Sequence, residues 1–78
     1  MVIAFVLLKV EIGLEDNVLK NLLSIDEVKE AYPLLGEYDI ICKIEIKSRL
    51  LKDVIHTIRA LVKIHTTSTM IVVKNSSM

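Results

Sequence analysis

Tryptophan is absent from this 78-residue chain, and cysteine and proline occur once each. The lone cysteine, Cys42, excludes an internal disulfide and points to a reducing, cytoplasmic setting. Aromatic residues are scarce, two Tyr and one Phe, so the core must be aliphatic. Net charge is missing too. Ten basic residues balance ten acidic ones, leaving no field to draw in nucleic acid or an anionic membrane. No apolar run is long enough to span a bilayer: the N-terminal stretch stops at Lys9, well short of the ~20 residues required. That stretch also lacks the basic leader and small-residue cleavage site of a secretion signal. Cys42, His56 and His65 stand at no metal-ligand spacing. No nucleophile-plus-base set or Gly-rich phosphate loop occurs. Catalysis, a metal and a cofactor are therefore not expected.

What the chain does have is apolar surface, 53% of its residues being hydrophobic. In Val2 to Leu8 the alternating set Val2, Ala4, Val6 and Leu8 is apolar, and so is the opposite set, Ile3, Phe5 and Leu7. A strand apolar on both sides belongs in a sheet covered on both sides. A chain this short supplies two short helices, enough for one layer. A domain of this size buries only about 60% of its unfolded surface, so a lone monomer would be marginal. Association with a second copy or another protein is the expected remedy. Richness in Ile, Val, Lys and Glu points towards a heat-loving source.

The pattern predicts a first strand from Val2 to about Ile12, broken at Gly13. A helix follows over Glu15 to Leu23, with acidic residues at the positive end of its dipole and a stripe of Val18, Leu19, Leu22 and Leu23. The second strand, Val28 to Leu35, contains Pro33, which cannot donate to a ladder and so marks an edge strand. Gly36 to Asp39 reads as a hairpin turn into a third strand, Ile40 to Ile46. Ser48 is the expected N-cap of a second helix reaching about Val62, with a stripe of Leu51, Ile55, Ile58 and Leu61 widened by Val54. The last strand is expected from Ile64 to about Val73. The order β-α-β-β-α-β with right-handed crossovers predicts an α+β, ferredoxin-like, two-layer sandwich. Its four-stranded antiparallel sheet has strands one and three in the centre. Residues 1–74 are expected to form a single domain with a short polar tail, 75–78, and no DNA-binding domain is expected.

Two groups of residues are candidate ligand contacts. Gly36 can adopt positive φ and expose a backbone N–H, and Asp39 offers a carboxylate suited to an α-ammonium. The plainer reading is that Asp39 caps its own turn. Thr67 and Thr69 share one face of their strand, and two hydroxyls can hold a carboxylate without a buried countercharge. Threonine also simply favours strands, edge strands included.

Ala31-Tyr32, the run Leu35-Gly36-Glu37-Tyr38-Asp39-Ile40-Ile41, and Thr67-x-Thr69-x-Ile71-Val72-Val73 together resemble the C-terminal effector domain of the Lrp/AsnC "feast/famine" regulators. The resemblance runs from Ala4 through Val73. Two departures stand out: Val62-Lys63 where many members have Pro-Gly, and Leu35 where a threonine is common. The resemblance implies a stand-alone amino-acid-binding module without the family's helix-turn-helix. It implies dimers paired sheet to sheet and assembled into an octamer-like ring, with full-length relatives as further partners. It also implies ligand contacts at Gly36, Glu37, Tyr38 and Asp39, with Thr67 and Thr69 supplied by a neighbouring subunit. Two alternatives stand beside it: a ligand-free oligomerisation adaptor, and a small dimeric α/β-barrel monooxygenase-like enzyme.

Overall fold

The computed structural model describes residues 1–60 and 64–72, the last stretch by its backbone and, at Met70, its side chain. The elements are β1 (Val2–Val10), α1 (Glu15–Leu23), β2 (Val28–Pro33), β3 (Ile40–Ile46), a 3₁₀ turn (Ser48–Leu50), α2 (Leu51–Arg59) and β4 (Ile64–Val72). The strands form one sheet in the order β2-β3-β1-β4, with every neighbouring pair antiparallel. The two most apolar strands are thus central, and Pro33 sits at the outer end of an edge strand.

One face of the sheet carries the core. Ala4, Val6 and Leu8 of β1 and Ile40, Cys42, Ile44 and Ile46 of β3 are buried, joined by Val18 and Leu22 of α1 and Val54 and Ile58 of α2. The register pairs like with like across the central strands: Ala4 with Ile44, Val6 with Cys42, Leu8 with Ile40. Directly opposed residues share a face, so both strands turn their aliphatic set to the helices. The other set, Ile3, Phe5, Leu7 and Ile41, is half-buried on the face the helices leave open. Met70, opposite Phe5, is 51% exposed.

Several predicted boundaries and positions shift. β1 ends at Val10, not Ile12, and Ile12 is 94% exposed in the turn leading to α1. Gly13 there has φ of +90°, a conformation that ends an extended run and that glycine adopts without strain. β2 ends at Pro33 rather than Leu35, because the chain must leave the ladder to make the loop before β3. Ser48 does not cap α2. It opens the 3₁₀ turn and makes no side-chain capping bond, so the α-helix begins three residues later. α2 ends at Arg59 with Ala60 as its C-cap. The expected continuation through Leu61 and Val62 lies outside the described residues, as do Val73 and the tail. On α1, Leu23 is 54% exposed and leaves the predicted stripe. At about 100° per residue it stands ~140° from Val18, past the edge of the buried face.

Candidate functional site

β2 and β3 are joined by a loop that the Leu34 N–H closes onto the Asp39 carbonyl at 2.8 Å. Within it, Gly36 has φ of +143°, and the space where a Cβ would stand is open. The conformation, not crowding, asks for glycine here. Leu35 is fully exposed at the tip, Gly36 and Glu37 are exposed, and Tyr38 and Asp39 are half-buried.

Asp39 is tied to β1 twice. Its N–H donates to the Leu8 carbonyl at 2.8 Å, and the Val10 N–H donates to its Oδ2 at 2.9 Å. β3 starts only at Ile40, paired with Leu8, so beyond that point β1 has no strand on this side. The carboxylate takes the place of the missing ladder acceptor and satisfies the N–H of a buried residue, Val10. An ionised carboxylate has about four lone-pair sites, so this single bond leaves acceptor capacity for a cation. The side-chain bond seen is not the local turn cap expected of Asp39: it reaches across to β1 and anchors the loop there.

Next to it, the Lys9 ammonium lies 5.6 Å from the centroid of the Tyr38 ring. That contact orients Tyr38 across the end of β1. Sequence reading missed it, and the parity of Lys9 with Leu7 and Phe5 was the available signal.

Thr67 and Thr69 lie at register positions opposite Leu8 and Val6, whose own side chains are in the core. Position 67 is thus level with Ile40, with β1 between them. Two strand spacings, roughly 10 Å, separate that row from β3. The structure brings Gly36, Glu37, Tyr38 and Asp39 together in one loop, and sets the two threonine positions across β1 from it.

A second polar group, absent from the predicted site, occupies the open face. The Tyr32 hydroxyl donates to Glu30 Oε1 at 2.8 Å. The Lys43 ammonium stands 3.5 Å from Glu30 and 3.7 Å from Glu45. The Tyr32 bond first, then Lys43, hold the Glu30 carboxyl below its ordinary range, and the same bond raises the Tyr32 hydroxyl. Glu30, Tyr32 and Lys43, with Phe5, Ile41 and Cys42, border a depression of about 220 Å³. On the core side, burial pushes the Cys42 thiol up to about 11. Among the described residues no polar or charged side chain is buried, and no three His, Cys, Asp or Glu side chains gather as a metal would need. No helix among them is long and apolar enough to cross a membrane.

Comparison with known proteins gives the site a context. A family model described as the Lrp/AsnC ligand binding domain matches residues 3–78. The HTH-type transcriptional regulator FL11 of Pyrococcus abyssi is 37% identical over 73 residues, covering 92% of this chain and 48% of that protein. This chain spans about half the length of the curated relatives it matches. Among solved structures, hypothetical protein PHS023 from Pyrococcus horikoshii superimposes with a TM-score of 0.82 at 42% identity, covering 97% of this chain and 94% of that one. E. coli AsnC gives 0.86 at 32% identity, covering 99% of this chain and 54% of that one.

Proposed function

The chain belongs to the Lrp/AsnC family, and on that premise we propose that it is an oligomeric effector module that binds an amino acid and passes the signal on through its assembly. The observation that carries the reading is the match of residues 3–78 to a ligand binding domain, on a fold whose second sheet face lies open.

The open face is the association surface. Ile3, Phe5, Leu7 and Ile41 line it around the sheet centre, and a second sheet packed at about 10 Å would take them out of water. The ligand site is the loop Gly36 to Asp39. The Asp39 carboxylate takes the α-ammonium while keeping its bond to Val10, and the Gly36 backbone and Tyr38 shape the wall. Thr67 and Thr69 of a neighbouring copy take the α-carboxylate. A ligand at such a junction shifts assembly only through different affinities for the two states. Further assembly, into a ring or with helix-turn-helix relatives, carries the response to transcription, and no catalytic role is assigned.

Calorimetry against the twenty amino acids tests the reading. At least one should bind, and Asp39→Asn should abolish binding, since it keeps an acceptor for the Val10 N–H and removes only the charge. Asp39→Ala is the poorer probe because it also orphans that N–H. A second reading, a ligand-free adaptor, is favoured by one observation: the Asp39 carboxylate already has a structural task. Twenty blank titrations and co-purification with a helix-turn-helix relative would favour the adaptor.

A further inference from the structure

At the end of β1 two opposite charges rise from neighbouring points of the chain without pairing. Asp39 places its Oδ2 2.9 Å from the Val10 N–H, the peptide group that follows Lys9. The Lys9 side chain is half-buried, and its ammonium lies 5.6 Å from the centroid of the Tyr38 ring. Among the described residues no carboxylate forms an ion pair with that ammonium, Asp39 included. Each charge holds a neutral partner instead, an N–H for one and a ring face for the other. Both therefore keep capacity in hand: three N–H donors on the ammonium, and the acceptor sites of the carboxylate beyond its bond to Val10. A plus and a minus held close but apart are the complement of a zwitterion. The α-ammonium and α-carboxylate of an amino acid hang from one carbon, so their partners must be neighbours that do not neutralise each other.

We infer, resting on the amino-acid-binding reading above, that Lys9 is a further ligand-binding residue: its ammonium takes the α-carboxylate of the amino acid whose α-ammonium sits on Asp39. The Thr67 and Thr69 hydroxyls of a neighbouring copy then add neutral hydrogen bonds to the same carboxylate, which has about four lone-pair sites to offer. The bond to Lys9 is charge-assisted and roughly twice as strong as a neutral one, so it carries the larger share of the hold. Contact with the Tyr38 ring keeps the ammonium against the loop, where the α-carboxylate arrives, at little desolvation cost. The ligand class that follows is the free α-amino acid. Amines without a carboxylate, and amino acids whose carboxyl is blocked as an amide, leave the Lys9 charge unanswered.

Calorimetry of the full chain against the twenty amino acids and, for each that binds, its α-carboxamide tests the assignment, with melting curves to check folding. Wild type should bind the free acid at least about tenfold more tightly than the carboxamide. Lys9→Gln should weaken the acid by at least about the same factor and leave the carboxamide nearly unchanged, so that the discrimination collapses. Lys9→Arg, which keeps the charge, should retain most of the preference. Lys52→Gln, on the exposed face of α2, removes the same charge and should change neither affinity. Where Lys9→Gln impairs folding, Lys9→Met replaces it, since its stem still packs on the ring. A Lys9 variant that keeps the wild-type preference for the acid overturns the inference, as does one that weakens acid and carboxamide alike, which is the mark of a merely structural lysine. Either result leaves amino-acid binding through Asp39 standing. Wild-type protein that binds none of the twenty removes that reading and this inference together.

Discussion

Asp39 shows how much one side chain can be asked to do. Its carboxylate closes the end of the β1 ladder through Val10, and loss of that acceptor orphans a buried N–H at a cost of about 1–3 kcal/mol. Asp39→Ala should therefore lower stability by about that amount in urea titration, and Asp39→Asn by much less. Gly36→Ala meets no obstructing atom, so its penalty should be only the backbone's, about 1–2 kcal/mol, for holding a Cβ at a φ of +143°. Cys42 carries a pH prediction. Its thiol titrates near 11 in the fold, above its ordinary value of 9. Between those values the unfolded chain gives up its proton first, so this contribution is intact below pH ~9 and is lost as pH rises towards ~11. Stability measured across that window should fall in wild type and fall less in Cys42→Ala. Turn chemistry made the Asp39 loop legible in the sequence. Its partner, Val10, was not, because 29 residues separate the two and no local pattern links them.

Among the elements, α1 and β3 run between the predicted residues, Glu15–Leu23 and Ile40–Ile46. Both are bounded by strong local signals, acidic residues and a glycine turn for one and a hairpin for the other. Helix faces were read less well. Val18 and Leu22, four apart, define the buried line of α1, whereas Leu23 lies outside it. Leu22→Ala should destabilise by about 3 kcal/mol and Leu23→Ala by under about 0.5, a contrast thermal or chemical denaturation can resolve. Ser48 failed as a cap because its residue type suits that role while a 3₁₀ turn places it a full turn before α2. On β2 and β3, the period of two puts Glu30 and Tyr32 on the same face as Lys43 and Glu45. Tyr32→Phe should let the Glu30 pKa rise towards its ordinary value, a shift an NMR titration of the carboxyl would report.

For the whole molecule, the proposed consequence of a half-covered sheet is association. Binding of a second copy stabilises only the folded form, so the melting temperature should climb with protein concentration. A melting temperature independent of concentration over two decades would count against the module as an assembling unit. The strand patterns by themselves determined the α+β order, the central place of β1 and β3, and the excess of apolar surface over available cover, since period and topology are local or combinatorial properties. Only the tertiary structure decided which face the helices take, that Asp39 finishes the β1 ladder, and that Glu30, Lys43 and Glu45 gather on the open face. Those facts depend on register between distant segments, and register is set by the packing of the whole sheet rather than by any stretch of chain.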